Sequence, residues 1–146
     1  MTNESLLNNK ILSSTTERIL AAAGLFVFAA GSFFVGFFNP STERFFPACP
    51  LLVMTGFACS GCGLTRGFHA LFHGDILTAL SFNALIPIYV FLFSYLVFYL
   101  LSVVIRGRGF GFRILTPWTL GIFLTIALLF GFIRNIPAYP FSILFP

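Results

Sequence analysis

Three uninterrupted apolar runs govern what this chain can fold into. They cover residues 19–38, 82–105 and 117–133. All three reach the length a helix needs to cross the hydrocarbon core of a bilayer, about 20 residues, and the third is the shortest. Charge is nearly absent around them: 8% of the 146 residues are charged and 58% are hydrophobic, with a mean hydropathy of +1.00. A soluble domain carries roughly 25% charged residues. The predicted fold is therefore an all-α membrane protein: three transmembrane helices, a cysteine-rich interfacial loop at 39–81, and one short helix between spans one and two.

The first run exceeds the apolar core of a cleaved leader. The Asn39-Pro40-Ser41-Thr42-Glu43 stretch that follows is not a small-residue cleavage site, so the run is read as a retained anchor. Residues 1–18, rich in Ser, Thr and Asn, are expected to form a polar, flexible N-terminus, and 19–146 a single membrane domain. Basic residues at the span ends set orientation. Lys10, Arg18, Arg106, Arg108 and Arg113 place the N-terminus in the cytoplasm, against Arg44, Arg66 and Arg134 on the other side. The cysteine loop and the C-terminus are then outside. The net charge of +4 is scattered along the chain and does not point to nucleic acid. The expected partner is the lipid bilayer. Small residues in the first run (Gly24, Gly31, Ser32 and Gly36) favour close packing within the chain over homodimerisation. A membrane-protein partner or a homo-oligomer stays open.

The first connection is not a polar loop. Phe45, Phe46, Leu51, Leu52, Val53, Met54 and Phe57 are too apolar to face water, and Pro47, Pro50 and Gly56 are expected to interrupt regular structure. Leu64, Phe68, Leu71 and Phe72 recur at helical spacing and predict a helix over 64–72, ended by Gly74. Asp75 can cap a helix that starts at Ile76 and runs on into span two, kinked at Pro87, with Asn83 satisfying backbone groups freed by the kink. Beyond span three, Pro137, Pro140 and Pro146 forbid a helix, and Tyr139 and Phe141 suit an outer interface.

All three cysteines and both histidines lie between residues 49 and 73. Three readings of this cluster stay open. Cys49, Cys59 and Cys62 with His69 or His73 could hold tetrahedral zinc, since Cys-x2-Cys is a zinc half-site spacing and the two histidines share a helix face. Alternatively, Cys59 and Cys62 before a helix start resemble a thiol–disulfide pair, with Cys49 as a relaying thiol. The third reading is structural, with small apolar side chains or a static Cys59–Cys62 or Cys49–Cys59 disulfide pinning the loop. An odd cysteine count leaves one thiol over in any disulfide scheme. Arg66, opening the short helix beside Thr65, needs an anionic partner, for which Asp75 and Glu43 are the candidates. His69 alone is expected to be a hydrogen-bonded helix residue.

Together Cys49-Pro50, Thr55-Gly56, Cys59, Cys62-Gly63-Leu64-Thr65-Arg66, His73-Gly74-Asp75 and Asn83 resemble a family of small bacterial membrane proteins of unknown function defined by a Cys-Pro-x4-Thr-Gly-x2-Cys-x2-Cys-Gly-x-Thr-Arg signature. The closing Arg134-Asn135-Ile136-Pro137 and Tyr139-Pro140-Phe141 also resemble some members. The likeness covers 47–87 and extends to the spans only in character. Members often carry Pro after the first cysteine of the close pair, where this chain has Ser60. The resemblance implies a bacterial inner-membrane location and marks Thr65, Arg66, Gly74, Asp75, Asn83, Arg134 and Asn135 as motif residues, but it carries no activity.

No phosphate-binding loop, carboxylate pair or Ser/His/Asp set is present in the sequence. The leading expectation is a non-enzymatic accessory or binding protein whose three-cysteine loop is held by a disulfide or zinc. The alternative is a membrane thiol–disulfide oxidoreductase using Cys59 and Cys62.

Overall fold

The computed structural model describes residues 3–43, 46, 48–107 and 116–139, with side chains described from Thr15 onward. Among these residues all regular structure is helical. Helices α1 (Asn3–Phe37), α2 (Pro50–Thr55), α3 (Leu64–Phe72), α4 (Ile76–Phe82), α5 (Ile86–Arg106) and α6 (Pro117–Ile133) follow in order. The Thr15–Phe37 part of α1 and all of α5 are long and apolar enough to cross a membrane, and α6 is a shorter apolar helix of 17 residues. The basic loop after Gly107, the tail beyond Tyr139, and Arg44, Phe45 and Pro47 lie outside the described residues, so the readings placed on them stand as expectations.

Local chemistry sets the helix ends. Thr116 and Thr119 form a reciprocal capping box at the start of α6, with Pro117 at the first helical position, where its missing N–H costs nothing. The same asymmetry corrects the reading of 47–56. Pro50 does not break structure but opens α2, and Gly56, at φ 78°, closes it in the left-handed conformation natural to glycine. Helix α3 occupies the residues its periodicity predicted. Gly74 follows it at φ 81°, and the Asp75 carboxylate accepts the Thr78 amide at 3.0 Å to cap α4.

A second correction concerns span two. The helix begun at Ile76 does not run on through Pro87. It stops at Asn83, whose extended backbone (φ −159°, ψ 110°) separates α4 from α5. Pro87 then lies in the first turn of α5, where proline is tolerated, so it starts a helix and does not kink one. The start of α5 is held by the Asn83 side chain, which accepts the Leu85 amide at 2.9 Å.

The chain divides into two compact units, Met1–Ser32 with Val90–Arg113 and Phe33–Tyr89 with Ile114–Pro146. In the first, Phe28 meets Phe93 edge-on at 5.5 Å, and a Cβ added to Gly24 would touch Leu100 at 3.5 Å. This is the close approach expected of small residues between apolar helices. The second unit is built on α3 and α4. Ala70, Ala79 and Ile86 form its buried cluster, with Leu64 and Leu71 against it. The buried face of α3 is thus its small-residue side, Gly67 and Ala70, whereas Phe72 is half exposed. At Gly67 a Cβ would collide with Ile86 and come within 3.1 Å of the Ala79 carbonyl, so the contact exists only because that position has no side chain.

Candidate functional site

The three cysteines are brought together by two local devices. Cys49 precedes Pro50 in an extended conformation and so occupies the N-cap of α2. Cys59 and Cys62 sit on one turn, closed by the Cys62 amide donating to the Cys59 carbonyl at 3.1 Å. Gly63, at φ 80°, then turns the chain into α3. The Cys59 amide donates to Cys62 Sγ at 3.2 Å. All three cysteines are free thiols, with Cys59 Sγ 3.3 Å from Cys49 Sγ and 3.4 Å from Cys62 Sγ. Their sulfurs all lie within 4.8 Å of one another. Cys62 is buried, and Cys49 and Cys59 are half-buried.

Three polar side chains hold this turn by its backbone. Asn83, 1% exposed, donates through Nδ2 to the Ser60 and Cys62 carbonyls at 2.8 and 3.1 Å. Arg134, 0% exposed, donates through Nη1 to the Cys59 and Cys62 carbonyls at 3.0 and 3.1 Å. Asn135 pairs with Ala58 on both sides, accepting its amide and donating to its carbonyl at 2.8 Å each, and donates to the Gly131 carbonyl as well. A Cβ on Gly131 would sit 3.4 Å from the Ser60 amide, so α6 comes close to the turn here. Net contributions of about 0.5–1.5 kcal/mol per neutral hydrogen bond, and more from a charged donor, make these bonds the main local anchor of a loop with little apolar core.

The thiols differ in electrostatics. The Cys49 thiol is held down at about 6, first by its hydrogen bond with Cys62 and then by the Leu52 amide, both of which favour thiolate. Burial pushes Cys62 up to about 12, and its neighbouring cysteines add to the effect. Burial also lowers Arg134 from its ordinary value, while all three cysteines electrostatically favour its charged form. The guanidinium lies 5.0 Å from the Phe130 ring centroid at the C-terminal end of α6, where the helix dipole favours a cation.

The other sequence candidates are placed elsewhere. Among the described residues, no histidine or carboxylate lies within 4.8 Å of all three sulfurs. His69 Nδ1 donates to the Val35 carbonyl at 2.7 Å and His73 Nδ1 to the His69 carbonyl at 2.9 Å, so both rings are engaged along their own helix and by α1. Thr65 and Arg66 are exposed on the first turn of α3. Among the described residues, Arg66 makes no ion pair with Asp75 or Glu43. The partnered, buried arginine is Arg134, which the sequence marks both as an orienting charge and as a motif residue. A cation and an amide directly after an apolar run are the signal that marks Arg134 and Asn135. With no kink at Pro87 there are no freed groups for Asn83 to serve; its side chain instead accepts the Leu85 amide at the start of α5 and binds the cysteine turn.

Residues 49–97 match the family model described as Protein of unknown function (DUF2752). The match takes in the three cysteines and Asn83, whereas Arg134 and Asn135 lie beyond it. No curated protein and no solved structure matches the chain.

Proposed function

We propose that this chain is an integral membrane protein with three membrane-crossing helices, and that its cysteine loop is a non-enzymatic binding element closed by a thiophilic metal ion, zinc being the natural case. The membrane reading is supported by how little protein covers the apolar helices. Only 6% of the α1 window and 11% of the α5 window is buried. Phe26, Val27, Phe91, Phe98, Trp118 and Leu128 all stand exposed. Such surfaces suit lipid tails and would be costly in water.

The observation that carries the metal reading is the convergence of three free thiols from two separate segments. The Cys59 sulfur lies 3.3 and 3.4 Å from the other two, against about 2.05 Å in a formed disulfide. That spacing approaches the edge of a tetrahedral thiolate site, about 3.8 Å for zinc–sulfur bonds of about 2.3 Å. Buried donors on the backbone around the sulfurs supply the outer shell that orients metal ligands.

A second reading has its own observation. Cys59 lies within 3.4 Å of both other thiols, and Cys49 is an acidic thiol. A thiol–disulfide oxidoreductase could use that arrangement, with Cys59 and Cys62 giving two electrons and two protons to a substrate disulfide.

Metal analysis and thiol titration on one purified, detergent-solubilised sample separate the two. One zinc per chain, with three thiols appearing on chelation, is the expected result. A metal-free chain carrying a Cys59–Cys62 disulfide that exchanges with added dithiols overturns it in favour of the oxidoreductase.

A further inference from the structure

We infer that Cys49, Cys59, Cys62 and Arg134 together form an electroneutral site for a divalent thiophilic cation, completed by a neutral fourth ligand from outside the chain, either water or an imidazole-type nitrogen. The inference rests on the metal reading above and adds to it the charge of the ion and the class of its exchangeable ligand.

The argument is one of charge in a poorly solvated place. Cys62 is 4% exposed and Arg134 0%, so net charge left here costs several kcal/mol per ion even after relaxation. Three thiolates around a divalent ion leave one negative charge, and the guanidinium cancels it. A monovalent ion leaves a net negative site and a trivalent ion a net positive one. The position of the guanidinium is set by the site itself. Nη1 is bonded to the carbonyls of Cys59 and Cys62, two of the three cysteines, and the group lies within electrostatic reach of all three. Arg134 therefore acts through the thiolates as a positioning and charge-balancing residue, not as a ligand.

The same reasoning selects the fourth ligand. Zinc-like ions take four donors, and sites with three protein ligands keep the fourth position for water or an incoming group. Among the described residues, the chain brings three donors together and no fourth. A thiolate or carboxylate arriving there would restore a net negative charge, and a neutral donor does not. Access is from the Cys49 and Cys59 side, since both are half-buried while Cys62 is closed off.

Cobalt(II) titration of the reduced full-length chain in detergent micelles tests this. Wild type is expected to bind one cobalt ion with thiolate charge-transfer bands, and the visible bands of the tetrahedral ion should shift on adding imidazole. Arg134→Gln keeps hydrogen-bonding capacity and loses the charge, so it should weaken cobalt binding about 10- to 100-fold, as loss of an outer-shell partner does. Arg134→Lys keeps the charge and should bind close to wild type. Bound cobalt whose spectrum ignores imidazole overturns the exchangeable ligand, and equal weakening in both variants overturns the charge balance. If Arg134→Gln does not fold by circular dichroism, Arg134→Lys and the wild-type imidazole titration decide. Wild-type protein that binds no cobalt at all overturns the metal reading itself, an outcome separate from the others.

Discussion

The two units of this molecule are stabilised by different means. In the unit that holds most of α1 and α5, apolar side chains meet one another, as Phe28 does Phe93, and large residues such as Phe26 and Val27 face outward. In the unit that holds the cysteines, the turn 58–62 is fixed by side-chain amides and a guanidinium bonded to named carbonyls. The first kind of contact is non-directional and scales with area, so many residues can serve. The second is directional, and a lost donor strands a buried acceptor. Residue identity should therefore matter far more in one unit than in the other.

The sharpest way to break that contrast is at Arg134. Arg134→Met should destabilise the cysteine unit by about 2–4 kcal/mol, because the Cys59 and Cys62 carbonyls both lose a charged donor. Thermal unfolding in detergent reads the loss, and hydrogen exchange should localise it to 58–62. A change below about 0.5 kcal/mol would show that the Arg134 bonds do not hold the turn. Asn83→Ala should follow, at about 1–3 kcal/mol, with α5 fraying at Leu85 as well because that amide loses its acceptor. Gly67→Ala is expected to cost about 1–3 kcal/mol despite alanine's better helix propensity, since the added methyl meets Ile86 and the Ala79 carbonyl. Phe26→Leu in the other unit should stay within about 0.5 kcal/mol; a larger loss there would erase the comparison.

Thiol chemistry sharpens the contrast within the cysteine unit. In metal-free, reduced protein, alkylation at Cys49 should rise through a midpoint near pH 6, because its folded value lies below the ordinary thiol range and the thiolate persists to lower pH. Cys62, raised to about 12, should remain unmodified until strongly alkaline pH. Peptide mapping after alkylation across pH reads the order. Reversal of that order would mean that the hydrogen bond favouring thiolate at Cys49 is not formed in solution.

Much of the architecture was legible from local pattern. The 64–72 helix, the Gly74 stop and the Asp75 cap were each readable because helix signals act within a few residues. The errors also have local causes. Pro50 and Pro87 read as breakers because proline's effect depends on whether it falls inside a helix or on its first turn, and periodicity alone does not say where a helix starts. Helical spacing placed Leu64, Phe68, Leu71 and Phe72 on one apolar face of α3 but did not show that Gly67 and Ala70 would be its buried residues while Phe72 stays half exposed. Arg66 looked like the residue needing a partner because it opens a short helix amid apolar neighbours, yet its position on the first turn of α3 is exposed.

The sequence by itself determined that the chain is helical and strongly apolar, and that its sulfur and imidazole groups are concentrated between residues 49 and 73. Those properties follow from composition and short-range spacing. Only the tertiary structure decided that the three thiols meet, that the histidines do not join them, and that Arg134, 75 residues from Cys59, is buried against their turn. A buried hydrogen bond between distant segments depends on the path of the whole chain, and no local pattern encodes that path.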